Sequence, residues 1–303
     1  MEIVRADELG MCFGVRDALA VLDRVDDPSR VTVHGELVHN PEVLALLARR
    51  GFVQSDERSR AVPNTEQVLV TAHGISERER QRLRQAGKQL LDTTCPLVQK
   101  AHAAAQQLQH DGRRVVVLGK RGHVEVRGLV EDLVDPIVVE RQEDVARWPE
   151  ARLGVVAQTT TPTERVDALL AAIRTTNPHA DVRYLDTVCA PTKARQEALE
   201  RLLPRVDALV VVGGRDSNNT RQLVQRGEAA GVPTLHVQTV AELAPAWFEG
   251  RQRIGLTAGT STLPRTVDAV FGWLQRLAAT LAAEAPRPKP TLDGGGAGVC
   301  SAR

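Results

Sequence analysis

Leu90-Leu91-Asp92-Thr93-Thr94-Cys95-Pro96-Leu97-Val98 is the stretch on which the reading of the fold turns. The apolar pair and the two threonines read as the end of a short strand. Thr94 or Cys95 can cap a helix behind it, and Pro96 suits a first helical position. The run from Leu97 to His102 continues as helix. A cysteine placed between a strand end and a helix start faces free backbone N–H groups and the positive end of a helix dipole. That environment favours a thiolate.

The arrangement returns in Tyr184-Leu185-Asp186-Thr187-Val188-Cys189-Ala190-Pro191-Thr192, which repeats Asp-Thr-x-Cys with a helix behind it. Gly10-Met11-Cys12-Phe13-Gly14-Val15, entered from the strand-like Glu2-Ile3-Val4-Arg5, is a looser third copy. The three cysteines stand roughly ninety residues apart, which suggests an internal threefold repeat. Between them apolar strand patterns alternate with helical ones, such as Val115-Val116-Val117-Leu118 before Val126–Leu133, and Ala208–Val212 before Asn219–Ala230. Alternation of this kind predicts α/β architecture with mostly parallel sheets. The divisions are residues 13–94, 95–187 and 188–282. The third unit lacks its closing strand, and residues 1–12 are the candidate to complete it, so that the three like units close around one axis. The Pro-, Gly- and Ala-rich residues 283–303, with Cys300, read as a disordered tail.

Composition narrows the function. A formal net charge of +1 predicts no nucleic-acid partner through bulk electrostatics, so any anion site is local. No apolar run approaches the roughly 18 residues of a membrane span, and no signal-peptide layout opens the chain. The expectation is a cytoplasmic protein without a membrane partner. Four cysteines in 303 residues do not make a disulfide scaffold.

In parallel α/β sheets, ligands bind at the carboxyl ends of the strands. The polar clusters fall there: His39-Asn40, His73-Gly74, His123 with Glu125, Gln158-Thr159-Thr160, Ser217-Asn218-Asn219 and Thr260-Ser261. Three thiolates on one axis can hold a [4Fe–4S] cluster and leave one iron without a protein ligand. Zinc held by three cysteines and a histidine is an alternative, as are three unrelated buried cysteines. A single His in such a loop reads equally as a cap, but three at corresponding strand ends point to an anion pocket. Ser217, Asn218, Asn219 and Ser261 add neutral donors at helix starts, where each alone is an ordinary N-cap. Glu125 is a solvated surface residue unless it faces a closed pocket. In such a pocket it is a proton donor, with Thr159 to relay or orient the proton. Asp92 and Asp186 read as braces of their turns.

Taken in order, these motifs resemble the 4-hydroxy-3-methylbut-2-enyl diphosphate reductase family over about residues 1–282. The resemblance rests on Gly10-Met11-Cys12-Phe13-Gly14-Val15, Val38-His39-Asn40, Ala72-His73-Gly74, Asp92–Val98, Gly122-His123-Val124-Glu125-Val126 with Gly128, and Gln158-Thr159-Thr160. It rests also on Asp186–Cys189 with Thr192, Arg195 and Gln196, on Ser217-Asn218-Asn219, and on Thr257–Ser261. It implies a trefoil of three α/β units around a central [4Fe–4S] iron–sulfur cluster held by Cys12, Cys95 and Cys189. It implies a diphosphate substrate among His39, His73, His123, Thr159, Ser217, Asn218, Asn219 and Ser261, with Glu125 as the acid. The hydroxyl would leave as water, giving isopentenyl and dimethylallyl diphosphate, with electrons from a ferredoxin or flavodoxin. Phe13, Val124, Leu129, Ala190-Pro191 and Asn218 depart from the usual pattern. The rival reading is a drifted paralogue acting as a non-catalytic iron–sulfur redox sensor or on another substrate.

Overall fold

The computed structural model describes residues 1–56 and 61–284; the tail reading, Cys300 included, lies outside the described residues. Twelve strands are described: β1 (Glu2–Arg5), β2 (Val31–His34), β3 (Val53–Gln54), β4 (Gln67–Val70), β5 (Gln89–Asp92), β6 (Arg114–Leu118), β7 (Ile137–Val139), β8 (Arg152–Ala157), β9 (Asp181–Tyr184), β10 (Ala208–Val212), β11 (Thr234–Val237) and β12 (Arg253–Ala258). The helices are α1 (Phe13–Leu22), α2 (Pro41–Arg49), α3 (Glu77–Gln85), α4 (Pro96–His110), α5 (Val124–Glu131), α6 (Thr163–Thr176), α7 (Ala190–Leu202), α8 (Asn218–Ala229) and α9 (Pro264–Glu284).

The strands form three four-stranded sheets, ordered β3-β2-β4-β5, β7-β6-β8-β9 and β11-β10-β12-β1. Every pairing is parallel. The order is the same in all three, so the fold is a trefoil of like α/β units. β1 takes in the third sheet the place that β5 and β9 take in theirs, with Ile3 opposite Ile254 on β12.

The central strands are apolar on both faces because helices cover both. In β6, Val116 and Leu118 enter one core cluster while Val115 and Val117 enter the other. In β10, Ala208, Val210 and Val212 separate from Leu209 and Val211 in the same way. This is the period-two division of a doubly covered strand. Two helices start earlier than the sequence predicts. α5 begins at Val124 rather than Val126, and α8 at Asn218 rather than Asn219. Each start sits directly behind a residue of the polar clusters, His123 and Ser217, which are their N-caps.

The units are joined by hydrogen bonds near the same end. Asn40 Nδ2 donates to the Ser261 carbonyl at 2.7 Å, and Asn218 Nδ2 to Thr160 Oγ1 at 3.0 Å. Asp132 accepts from the first free N–H groups of α3, Glu77 at 2.7 Å and Arg78 at 3.1 Å. A carboxylate at a helix N-terminus satisfies orphan donors and opposes the dipole.

Candidate active site

The corresponding strands of each sheet deliver corresponding residues. The loops after β2, β6 and β10 carry His39, His123 and Ser217, each five positions beyond its strand end at 34, 118 and 212. The loops after β4, β8 and β12 carry His73, Thr159-Thr160 and Ser261. The edge strands β5, β9 and β1 lead to Cys95, Cys189 and Cys12. Each cysteine N–H donates to a carbonyl just past the neighbouring strand: Cys95 to Ala72 at 3.1 Å, Cys189 to Thr159 at 2.9 Å, Cys12 to Thr260 at 3.0 Å. All three thiols are free and line one cavity with His39, His73, His123, Glu125, Thr159, Ser217, Asn218, Asn219 and Ser261. Every residue singled out in the sequence as a site candidate reaches it.

The turns are braced by side chains. Asp92 Oδ1 accepts from Thr94 N at 2.9 Å, and Asp186 Oδ1 from Val188 N at 3.1 Å. Cys95 and Cys189 occupy the N-cap positions of α4 and α7 without making a side-chain cap bond. The expectation of a ready thiolate is not met. Burial pushes the Cys95 thiol up, with the N–H groups of Leu97 and Val98 opposing it, and Cys189 up to about 11. Desolvation of the charged form outweighs the helix dipole here. Cys189 Sγ donates instead to Thr192 Oγ1 at 3.1 Å.

The three histidines form one group. Ring centroids lie 4.7 Å apart for His39–His73, 5.3 Å for His39–His123 and 5.6 Å for His73–His123. His39 Nδ1 donates to Glu36 Oε2 at 2.9 Å. His123 Nδ1 accepts from the Glu125 N–H at 3.2 Å, so the hydrogen of its neutral ring sits on Nε2. Burial, then the neighbouring His39, Lys120, Arg221 and Arg127, push His123 down to about 3. Burial and the adjacent His39 and His123 likewise hold His73 well below the usual range.

Glu125 is 2% exposed. Its Oε1 accepts from Thr159 N at 2.6 Å and its Oε2 from Thr159 Oγ1 at 3.0 Å. Burial pushes its carboxyl up to about 7 against those two bonds. It therefore carries a proton over part of the neutral range. Three other buried polar atoms in the cavity's lining residues have no partner: His73 Nδ1, Asn219 Nδ2 and Ser261 Oγ. Buried polar groups are nearly always paired, and these three unpartnered atoms all belong to residues that line the one cavity.

The pH dependence of the metal-free fold comes from these shifts. Unfolded histidine titrates near 6.5, whereas folded His123 stays neutral to about 3, so acidification from pH 7.5 to 5.5 protonates the unfolded chain preferentially and costs stability. Folded Glu125 binds its proton more tightly than the unfolded carboxyl, so it gains stability over the same interval. Urea unfolding at the two pH values is expected to show His123→Asn losing about 1 kcal/mol less on acidification than the parent. An equal or larger loss contradicts the buried neutral ring.

Two contributors carry no local signal as site residues. Gly14 lies so close to Cys95 that a Cβ built on it would stand 2.6 Å from Sγ. Arg195, in sequence only a motif position, is buried and donates to the Gly10 and Pro191 carbonyls. The nearest sequence cue was the glycine two residues after Cys12, which reads equally as a helix-start glycine.

With this geometry established, comparison with known proteins is decisive. The profile of the LytB protein family matches residues 3–275. The chain belongs to the LytB family. A 4-hydroxy-3-methylbut-2-enyl diphosphate reductase of Anaeromyxobacter sp. (strain Fw109-5) is 36% identical over 282 residues, covering 91% of this chain and 98% of the relative. One from Aquifex aeolicus (strain VF5) is 32% identical over 284 residues, covering 91% and 97%. The solved E-1-hydroxy-2-methyl-but-2-enyl-4-diphosphate reductase of Plasmodium falciparum aligns with a TM-score of 0.83 at 26% identity, covering 90% of this chain and 88% of that one. A second solved structure, described as the terminal enzyme of the non-mevalonate pathway, aligns with a TM-score of 0.64 at 32% identity, covering 91% and 99%.

A metal-binding reading is tested by the donor set. Among the described residues no three or more His, Cys, Asp or Glu side chains gather tightly enough to hold one metal ion. That arrangement does not match the compact tetrahedral set zinc requires. Three free thiols, one from each unit, line one cavity, and thiolates are the donors an iron–sulfur cluster takes. Gly14 keeps the space beside the Cys95 sulfur free.

Proposed function

We propose that this LytB-family chain reductively removes the hydroxyl of 4-hydroxy-3-methylbut-2-enyl diphosphate, giving isopentenyl diphosphate and dimethylallyl diphosphate. The observation that carries the reading is the set of orphaned buried donors and acceptors, His73 Nδ1, Asn219 Nδ2 and Ser261 Oγ, in the same cavity as a protonatable buried carboxyl and three free thiols. The relatives' names agree with it. A [4Fe–4S] cluster held by Cys12, Cys95 and Cys189 supplies, when bound, a Lewis-acidic iron and the route for two electrons.

The rest falls to this chain's own side chains. The diphosphate lies among His39, His73, His123, Thr159, Ser217, Asn218, Asn219 and Ser261. Hydroxyl, amide and ring N–H groups there donate to its oxygens. Glu125, oriented by Thr159, holds the proton that goes to the departing hydroxyl oxygen. The balance is two electrons and two protons per turnover: the C–O bond breaks, oxygen leaves as water, and the second proton ends on carbon. A ferredoxin or flavodoxin is the electron donor, and the reaction takes place in the cytoplasm. No helix among the described residues is long and apolar enough to cross a membrane.

The test is turnover of that diphosphate by anaerobically purified protein with a chemical reductant, beside iron and sulfide content. Both products with a filled cluster are expected. A filled cluster without turnover favours the sensor reading, and no iron after anaerobic reconstitution removes the cluster on which the mechanism stands.

A further inference from the structure

Arg195 lies on α7, six positions after Cys189, and is 4% exposed. Its Nε and Nη2 both donate to the Gly10 carbonyl, at 3.0 and 2.7 Å, and its Nη1 donates to the Pro191 carbonyl at 2.8 Å. Gly10 is two residues before Cys12 and Pro191 two residues after Cys189. One rigid fork therefore spans the turns of two thiols. Its partners are carbonyls, not carboxylates. Burial works against its charge, and the groups that favour the charge are Cys12 first, then the exposed Glu8 and Cys189.

A buried cation without an ionic partner costs several kcal/mol, and neutral carbonyls offset only part of that. The hydrogen-bond partners of the guanidinium are both backbone carbonyls, one beside Cys12 and one beside Cys189. Three thiolates on a cubane carry a net negative charge that grows on reduction.

We propose that Arg195 is a positioning residue of the cluster site: it ties the Cys12 turn to the Cys189 helix start and supplies the buried positive charge against which an anionic, thiolate-bound cluster is held. This rests on the iron–sulfur reading above. Because the added electron increases the negative charge, a fixed neighbouring cation favours the reduced state, net charge being one of the levers on iron–sulfur potentials.

The experiment compares the parent, Arg195→Gln and Arg195→Lys. Each is reconstituted anaerobically and titrated spectroelectrochemically, and each metal-free form is unfolded with urea. In R195Q the reduction equilibrium is expected to shift at least tenfold towards the oxidised cluster, about 59 mV for one electron. Its metal-free form is expected to be no less stable than the parent, since an uncompensated buried charge has gone. R195K keeps the charge and loses the fork, so it is expected to stay within about threefold of the parental equilibrium while retaining less iron.

R195Q with a parental potential overturns the proposal. So does a metal-free R195Q that is destabilised while its cluster behaves as the parent's, which is a structural role alone. Loss of the cluster from R195Q but not from R195K, on stable metal-free folds, supports the charge role. Should R195Q not fold, a tenfold shift in R195K overturns the proposal. A parent that takes up no iron identifies failure of the iron–sulfur reading itself.

Discussion

Glu125→Gln is expected to lower turnover about 10²–10⁴-fold while leaving iron content, absorption spectrum and apparent substrate affinity close to the parent. The change is nearly isosteric. The amide oxygen can still accept from Thr159 N or Oγ1, whose 2.6 and 3.0 Å bonds orient the parent carboxyl. What disappears is a group that burial has raised to about 7 and that can hold and release a proton beside the site. A merely structural Glu125 predicts a different result: loss of a raised, desolvated carboxyl should stabilise the fold and leave turnover alone. Single-turnover kinetics with pre-reduced protein separates the two, because electron supply then no longer limits the rate. Turnover within tenfold of the parent removes Glu125 as the acid.

The second large effect is expected from a methyl group. Gly14→Ala places a Cβ 2.6 Å from Cys95 Sγ and 3.2 Å from Cys95 Cβ, distances that atoms do not share. Gly14 is the second residue of α1, where alanine is still favoured over glycine, though by less than in a helix interior. The helix therefore gains while the thiol must turn away from its place at the cavity. Metal-free G14A is expected to unfold at the parental urea midpoint or slightly above it. Its retention of iron on dilution into chelator should fall by about 10–100-fold, the usual cost of disturbing what orients a ligand. Parental iron retention would mean that Cys95 is not held by Gly14's missing side chain. The pairing of an intact fold with a lost cluster distinguishes this from general destabilisation.

Much of the framework is legible in the chain because parallel α/β units obey a positional rule. Apolar runs such as Val115–Leu118 can only be doubly covered strands, and their carboxyl ends then locate His123 and its counterparts. The repeated Asp-Thr-x-Cys context tied Cys95 to Cys189 for the same reason. The protonation state of the thiols was not legible. Sequence shows the helix dipole behind Cys95, but the burial that outweighs it arises only in the folded chain. Nor was Arg195, whose bonds reach a carbonyl 185 residues away in the chain. Gly14 and Asn40 are of the same kind. Each makes its decisive contact with another unit, at Cys95 and at the Ser261 carbonyl, and no local pattern encodes that meeting.

The place of β1 in the third sheet has a consequence for biosynthesis. Its partner, β12, is made roughly 250 residues later, about 12–50 s at ordinary elongation rates. The strand made first is thus the last to find its neighbour. Until then the Cys12 N–H lacks the Thr260 carbonyl to which it donates. The segments carrying Cys95 and Cys189 are made before β12, so the cavity that the three thiols line cannot be complete until that strand has been made. On the iron–sulfur reading proposed above, a cluster held by all three cysteines would be loaded only after β12 has been made.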